Sequence, residues 1–194
     1  MEQNETLSFE NEFKRDRIGL PHRGLFLLIG ALLLLVAAIA VLVLLLPKKN
    51  TMPCFSEVMT SNHAAFDHPV YGTVDWVELY NPTDADIDLS GFGFTNEIKR
   101  TFRYRFPEGT VLKSGEYLVL YCTGGTEQSD ADPFCTGFNL SASGEDLYLV
   151  NPNNVEADEV HVPALESDTS YAKNADGEFE ITTIPTPGEE NQFE

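Results

Sequence analysis

The stretch TVDWVELYN, residues 73–81, decides the fold class of this chain. β-Branched and aromatic residues dominate it and the polar Asp75 and Glu78 interrupt them, a composition typical of a β-strand. The turn sequence NPTDAD, residues 81–86, follows at once, with Asn and Asp to bond the local backbone and Pro82 to fix φ. The combination predicts a strand that ends in a tight turn.

Short segments of the same kind recur after residue 50, separated by Gly, Pro, Asn and Asp. This region shows no sustained period of 3.6 residues, which an amphipathic helix would need. Strands at such short intervals favour an all-β sandwich or barrel. The predicted strands are 54–59, 73–81, 87–94, 101–106, 117–122, 138–141, 146–150 and 159–162.

Three segments give more specific expectations. In TFRYRF, residues 101–106, the aromatic side chains should share one face, with Arg103 and Arg105 on the other. The nearly all-apolar strand 117–122 should be buried on both faces. The proline-bearing segment 184–191 cannot complete a hydrogen-bond ladder, so we expect an extended tail on the surface.

One long apolar segment lies near the N-terminus. Residues 24–46 read GLFLLIGALLLLVAAIAVLVLLL, 23 residues without a charged side chain. As a helix this segment spans about 34 Å, enough to cross a hydrocarbon core of about 30 Å. A cleaved signal peptide is the alternative, but its apolar core usually measures about 7–15 residues. We therefore predict an uncleaved anchor that contacts the lipid bilayer through 24–46.

Flanking charge predicts the orientation of this helix. Basic residues are more numerous before it than after it, which favours a cytoplasmic N-terminus: Lys14, Arg15, Arg17 and Arg23 precede it, and Lys48 and Lys49 follow it. The predicted organisation is a cytoplasmic tail (1–23), the transmembrane helix (24–46), a linker (47–53) and an exported β-domain (54–192).

The chain has a net charge of −19, and the imbalance lies in the predicted β-domain. Residues 51–194 hold six basic and 26 acidic side chains. Such a surface repels phosphate backbones, so we exclude nucleic acid as a partner. The chain is also 42% hydrophobic and 11% aromatic, which excludes full disorder.

Four of those six basic residues fall within KRTFRYR, residues 99–105: they are Lys99, Arg100, Arg103 and Arg105. In an otherwise anionic domain, they are the first candidates for contact with an envelope protein or an anionic glycan. The alternative is a solvent-facing strand whose charges protect a sheet edge from mispairing.

Acidic residues in and just after the turn 81–86 suggest a comparison with calcium-binding loops. Asp84, Asp86 and Asp88 follow the spacing of the first half of an EF-hand loop. Leu89 and Thr95 stand where that loop needs Gly and Glu, so an EF-hand is excluded.

A looser calcium site remains a candidate, built from some of Asp75, Glu78, Asp84 and Asp86. The alternative is a set of acidic turns that keep an exported domain soluble. A zinc site around His63, Asp67 and His68 is disfavoured, because zinc needs three or four converging donors and this cluster lies in an expected loop.

The chain has three cysteines, Cys54, Cys122 and Cys135. Exported proteins can hold disulfides. Cys122 and Cys135 bracket a loop whose closure would contribute roughly 3 kcal/mol in the chain-entropy model. They are the candidate disulfide, with Cys54 left unpaired. No Cys–His or Ser–His–Asp arrangement is indicated, so we expect no catalytic residues.

The region after residue 50 resembles the lamin-tail domain, an immunoglobulin-like β-sandwich found in nuclear lamins and in many bacterial envelope proteins. The matching stretches keep the family's order over residues 54–192: SEVMTSN (56–62), DWVELYNPTDADIDLSGFGFTN (75–96), FPEGTVLKSGEYLVLYC (106–122), FNLSASGEDLYLVNPN (138–153), SYAKNADGEFE (170–180) and PTPGEEN (185–191). The pattern resembles the bacterial form. The coiled-coil rod of lamins is not in this sequence, so the resemblance implies no filament role.

The resemblance also implies structural roles for particular residues. Trp76 would be a core aromatic beneath the sandwich, Asn81 and Pro82 would shape the turn, Gly91 would permit a backbone bend, and Phe138 and Leu140 would close the core.

The family implies a binding or tethering function. We therefore expect a non-catalytic, single-pass module displayed outside a bacterial cytoplasmic membrane, with no cofactor unless calcium binds. The alternative is an accessory module that positions a separately encoded hydrolase or CotH-type kinase. A hydrolase using Asp75, Glu78 or His63 as acid or base is a third hypothesis.

Overall fold

The computed structural model describes residues 22–45, 51–125 and 133–194. Most of the predicted cytoplasmic tail and linker, and the middle of the loop between the two candidate disulfide cysteines, lie outside the described residues. The chain divides into two compact units at the boundary between Lys48 and Lys49.

The described residues of the N-terminal unit form the helix α1 (His22–Leu45). Its stretch Gly24–Leu42 has a mean hydropathy of 3.2, and none of this stretch is buried within the protein. Large apolar side chains from Leu25 to Leu42 are exposed on the helix surface. A helix this long that is apolar all round can cross a membrane. The predicted apolar helix is confirmed, and it begins two residues earlier than expected.

The second unit is built from short strands. In the described residues these are β1 (Cys54–Met59), β2 (Asp75–Tyr80), β3 (Ile87–Asp88), β4 (Gly93–Thr95), β5 (Tyr104–Arg105), β6 (Val111–Leu112), β7 (Tyr117–Cys122), β8 (Cys135–Thr136), β9 (Glu145–Val150), β10 (Glu156–Val162), β11 (Ser170–Lys173) and β12 (Phe179–Thr182). A short 3₁₀ helix, Ile98–Arg100, lies between β4 and β5. The predicted segment 138–141 is not a strand.

These strands form two main sheets. One has six strands in the order β12-β11-β1-β2-β7-β8, and the other has four in the order β10-β9-β4-β5. The pair β3-β6 forms a small third sheet. All the pairings are antiparallel except that of β7 with β8. The all-β prediction is confirmed.

The hydrophobic core lies between the two main sheets. Val77 and Leu79 of β2 point into it, because alternate residues of a strand share a face. The Phe94 ring of β4 packs edge-on against Phe55, with 6.1 Å between centroids, and lies 5.4 Å from Phe138. Leu140 is buried in the same cluster, so Phe138 and Leu140 close the core as the resemblance implied.

Trp76 is a buried aromatic, as the resemblance implied, but it lies on the outer face of the six-stranded sheet. Trp76 is fully buried but is not part of the core between the sheets. It pairs across strands with Met59 and Tyr121, and the loop 61–74 packs Phe66 and His68 against the Tyr121 ring. The loop 61–74 therefore packs on the same sheet face as Trp76, opposite to the face that packs on the second sheet.

The strand β7 also differs from its prediction. Leu120 and Cys122 are buried, whereas Tyr117, Val119 and Tyr121 are only half-buried on the opposite face. This strand therefore has one core face and one face that surface segments partly cover.

The turn after β2 matches its prediction. Asn81 is fully buried, its Oδ1 accepts from the Thr83 N–H at 2.9 Å, and its Nδ2 donates to the carbonyls of Ala85 and Leu112. Gly91 has a φ of +73°, which a residue with a Cβ rarely adopts. This bend divides the predicted strand 87–94 into β3 and β4.

Candidate binding site

The basic segment 99–105 folds differently from the single strand predicted for 101–106. Lys99 and Arg100 lie on the 3₁₀ helix, a turn follows, and the strand consists of Tyr104 and Arg105 alone. Tyr104 and Phe106 are buried as expected, but Phe102 is only half-buried and lies beside Arg105.

Gly93 of β4 explains why β5 begins at Tyr104 and not at residue 101. A Cβ on Gly93 would lie 2.5 Å from the Thr101 carbonyl oxygen and 2.6 Å from the Phe102 ring. Only a glycine at this position lets the turn and the Phe102 ring lie directly on the backbone of β4. Sequence reasoning missed this role of Gly93, because the contact is with a turn that the alternating pattern did not indicate.

Two arginines are held in place by aromatic rings. The Arg103 guanidinium lies over the Phe138 ring, 4.4 Å from its centroid, and its Nη1 donates to Asn96 Oδ1 at 2.6 Å. The Arg105 guanidinium lies over the Phe102 ring at 3.9 Å, and its Nη1 donates to the Gly91 carbonyl at 2.9 Å. Stacking and hydrogen bonding together fix the orientation of both cations.

These arginines line a groove of about 480 Å³ between β5 and the segment around β8. We call this the arginine groove; its lining residues are Arg100, Phe102, Arg103, Tyr104, Arg105, Cys135, Gly137 and Phe138. It lies where both main sheets end, because β5 is an edge strand of one and β8 of the other. The Tyr104 hydroxyl donates to the Pro133 carbonyl at 2.7 Å, and burial raises the pKa of this phenol.

The groove collects three of the four predicted basic residues. Lys99 is exposed on the 3₁₀ helix but does not line the groove. Arg100 lies 3.5 Å from Glu97, so part of its charge is balanced at the rim. The predicted contact surface is therefore a groove with defined lining residues. That it binds a partner stays a prediction.

The candidate calcium residues do not converge. Asp75 Oδ1 accepts from the Asn62 N–H at 3.1 Å, Asp86 Oδ1 accepts from the Ser114 N–H at 3.1 Å, and Asp84 is exposed on the turn after β2. Glu78 is fully buried. Among the described residues, no group of three or more His, Cys, Asp or Glu side chains could hold a metal ion. Calcium binding therefore stays a prediction, and the described residues show no preformed set of calcium ligands.

The residues weighed for zinc are used in a different way. His68 Nδ1 accepts from the Val70 and Tyr71 N–H groups, and its ring packs against Tyr71 and Tyr121 at centroid distances of 5.0 and 4.3 Å. These contacts make His68 part of the loop that covers the outer sheet face.

The predicted disulfide is absent: Cys54, Cys122 and Cys135 are buried and not joined. In the parallel pairing of β7 with β8, Cys122 lies opposite Thr136 and Cys135 opposite Tyr121. Paired residues point to the same side of a sheet and successive residues to opposite sides. The two thiols therefore point away from each other, and burial raises the pKa of the Cys122 thiol.

A pair of buried carboxyl groups was not anticipated. Glu57 of β1 and Glu78 of β2 are directly paired across strands and both are fully buried on the outer sheet face. Burial raises the pKa of both, that of Glu78 to about 8. Sequence reasoning interpreted Glu78 as a calcium ligand, whereas the structure places it inside the protein.

Ser170 of β11 and the segment after β12 donate to these carboxyl groups, but Glu78 Oε1 is buried without a hydrogen-bond partner among the described residues. Glu57 accepts from the Ser170 hydroxyl and from the Thr186 N–H and hydroxyl, and Glu78 Oε2 accepts from the Gly188 N–H at 2.6 Å. Asn191 Nδ2 donates to the carbonyls of Ser56 and Lys173. The predicted surface tail is therefore tied to the sheet, and the motif PTPGEEN supplies its contacts.

The sequence of residues 48–164 matches the Lamin Tail Domain family. Among curated proteins, none matches the chain significantly. The match covers more than half of the chain, and two sheets packed around one core agree with the immunoglobulin-like sandwich of that family. The chain therefore belongs to the lamin tail domain family.

Proposed function

We propose that this protein is a membrane-anchored binding or scaffolding module of the bacterial cell envelope, without catalytic activity, and that it contacts its partner through the arginine groove. The family suggests a binding or scaffolding immunoglobulin-like module. The observation that supports the proposal is the groove itself, where Arg103 and Arg105 lie on aromatic rings beside the terminal strands of the two main sheets in the described part of the chain.

The helix α1 would supply the anchor. Its exposed apolar surface suits contact with lipid acyl chains, and the span 24–46 has the length to cross a bilayer. The excess of basic residues before it supports a cytoplasmic N-terminus, with the β-domain outside. A signal sequence that is removed on export is the competing fate of this helix.

The groove would supply the partner contact. A guanidinium offers donors in a fixed fork that matches carboxylate and phosphate groups. A domain with 26 acidic and six basic side chains after residue 50 concentrates four of the basic ones in residues 99–105. An anionic region of an envelope protein or glycan is the partner that this charge distribution supports.

A topology experiment tests the anchor and its orientation. The full chain is produced in a bacterium with alkaline phosphatase, which is active only outside the cytoplasm, fused after Glu194. We expect phosphatase activity in a membrane fraction that resists alkaline extraction, with the mass of the uncleaved chain. A shorter, extractable product would show a removed signal sequence. An inactive fusion would contradict the orientation.

A control that removes the positive charge before the helix sharpens this test. Changing Lys14, Arg15, Arg17 and Arg23 to Ser leaves the positive charge only after the helix. We expect a large fall in phosphatase activity because the flanking charge then favours the opposite orientation. Changing Lys48 and Lys49 to Ser should leave the activity high.

A further inference from the structure

We propose that a cleft beside the start of β1 binds a neutral pyranose ring of a glycan. This cleft shares no lining residue with the arginine groove, so the inference goes beyond the function proposed above. Its volume is about 550 Å³, within the usual range for a small-molecule site. We call it the tyrosine cleft; its lining residues include Cys54, Tyr80, Tyr117, Asn174, Glu190 and Phe193.

One wall of the tyrosine cleft is a pair of stacked aromatic rings. Cys54, Tyr80 and Tyr117 are neighbours across β1, β2 and β7. The Tyr80 ring stacks on the Tyr117 ring, with 4.7 Å between centroids and 28° between planes. Because Tyr117 covers one face of the Tyr80 ring, the other face lies on the side of Cys54, which lines the cleft. Both rings are half-buried and are therefore within reach of a ligand.

Two asparagines fix the polar walls of the cleft. Asn191 Nδ2 donates to the carbonyls of Ser56 and Lys173 at 3.1 and 2.9 Å, which ties the segment after β12 to β1 and β11. Asn174 Oδ1 accepts from two N–H groups of its own turn, both at 3.0 Å. The walls are therefore held in place before a ligand arrives, and a preorganised site loses less entropy on binding.

The cleft presents a carboxylate and two phenol groups. The structure gives the Glu190 carboxylate and the hydroxyls of Tyr80 and Tyr117 no hydrogen bond to another described residue. Burial, with the neighbouring Tyr80, Glu78 and Glu190, raises the pKa of Tyr117 to about 12, so its hydroxyl remains a donor at neutral pH. These groups can accept from and donate to ligand hydroxyls.

A sugar ring matches this combination of groups. The face of an aromatic ring carries negative charge density, which attracts the weakly positive C–H groups on one side of a pyranose. A carboxylate has two oxygens and can accept from two adjacent hydroxyls of the same sugar. A pyranose lying on Tyr80 would bring its hydroxyls to the polar rim at Glu190.

The charge of the cleft favours a neutral sugar over an anionic one. The Lys173 ammonium lies 4.0 Å from the Asp158 carboxylate and 4.9 Å from the Phe179 ring centroid, so its positive charge is already balanced. Glu190 adds a negative charge, and residues 51–194 hold 26 acidic and six basic side chains. A sugar carboxylate would be repelled by this field, whereas a neutral sugar would not.

Saturation-transfer NMR tests the inference. The full chain in nanodiscs is mixed with the methyl β-glycosides of glucose, galactose, mannose and N-acetylglucosamine, and empty nanodiscs are the blank. Methyl glucuronide is the anionic counterpart of methyl glucoside. We expect at least one neutral glycoside to bind, with the strongest transfer at its ring C–H protons, and the glucuronide to bind at least about fivefold more weakly than that glycoside.

Matched variants locate the binding. Y80L removes the stacking face and should weaken binding at least about tenfold, while Y80F keeps the ring and should cost less than about threefold. Y148L changes a half-buried tyrosine outside the cleft and should have no effect. E190Q should weaken binding about fivefold, and E189Q, next to it but not lining the cleft, should not. Unfolding midpoints establish that all variants are folded.

Four results would contradict the inference. Absence of saturation transfer to every neutral glycoside would remove the cleft as a sugar site. Tighter binding of the glucuronide would contradict the charge argument. Equal losses in Y80L and Y148L, or in E190Q and E189Q, would place the binding elsewhere. A proline-rich peptide that binds through Tyr80 while no glycoside binds would assign the cleft to a polyproline ligand. None of these results bears on the arginine groove or on the phosphatase topology.

Discussion

The outer face of the six-stranded sheet and the edge of the four-stranded sheet handle charge in opposite ways. On the outer face, Glu57 and Glu78 are removed from water and accept hydrogen bonds from residues more than a hundred positions away, although Glu78 Oε1 has no partner among the described residues. At the edge, Arg103 and Arg105 stay exposed and lie over aromatic rings. The first arrangement places ionisable groups inside the fold, and the second leaves them at the surface, where we propose that a partner binds.

A buried carboxyl group that accepts hydrogen bonds from the protein's own donors is out of reach of an external ligand. The guanidiniums of Arg103 and Arg105 are exposed, and we propose that this part of the surface contacts a partner. The predictions below test each side of the comparison, beginning with the largest expected effect.

The strongest test of the outer face is the pH dependence of stability. The pKa of Glu78 is about 8 in the folded protein and near 4.5 when unfolded. The folded state therefore binds more protons than the unfolded state between these values, and the free energy of unfolding falls as pH rises from 4.5 to 8. We expect a loss on the order of 4 kcal/mol over that range.

The variant E78Q isolates this contribution, because glutamine has a similar shape and does not ionise. Urea unfolding of both proteins at several pH values should give a flatter profile for E78Q, with the difference growing as pH rises. Parallel profiles would contradict the assignment of a buried, proton-binding Glu78.

Removal of the Glu57 side chain tests how the following segment is held. E57A leaves the Ser170 hydroxyl and both Thr186 donors without their acceptor and opens a cavity. We expect a loss of about 3 kcal/mol in urea unfolding. E57Q keeps the volume and one acceptor oxygen, so its loss should be clearly smaller. Equal stability of the two variants would show that this carboxyl does not hold the segment.

The support beneath the arginine groove is tested at Gly93. In G93A the new Cβ would lie 2.5 Å from the Thr101 carbonyl oxygen and 2.8 Å from Val150 Cγ2, so the turn must move. We expect a loss of about 2 kcal/mol in thermal or urea unfolding. G125A is the matched control, since its Cβ would meet no atom of the described residues within 4 Å. Equal effects would show that the turn does not rest on β4.

The smallest effect is expected at the arginines themselves. R103Q and R105Q remove exposed side chains and should reduce the free energy of unfolding by less than about 1 kcal/mol. Binding of the envelope partner that we propose for the arginine groove should fall much more. If both variants unfold as readily as G93A, then these arginines serve the fold, as a protected sheet edge would require.

Local sequence predicted much of the fold. The β-rich pattern, the turn at Asn81 and the bend at Gly91 depend on contacts within a few residues, and the structure confirms them. Local sequence did not predict which face of a strand points into the core. β2 has apolar residues on both faces, with Val77 and Leu79 on one face and Trp76 on the other. The alternating pattern alone could not decide which face points into the core between the sheets.

The basic composition of the candidate site could be predicted from the sequence, but its three-dimensional shape could not. The clustering of basic residues at 99–105 is visible in the sequence, but the rings beneath two of them belong to Phe102 and the distant Phe138. The role of Glu78 depends on Gly188, 110 residues further along the chain. Contacts at such separations are set by the sheet order, which no local pattern contains.

The bonds between Glu57 and Thr186 also affect the order in which the domain can form. These residues are 129 positions apart, and β1 is paired with β11 as well as with its neighbour β2. A chain that emerges N-terminus first must release nearly all of the domain before the β1 carboxyl finds its donors. Folding controlled by such distant contacts is slow. In the export that we propose, a slow final closure would keep the chain open during passage across the membrane and complete the sheet only on the far side.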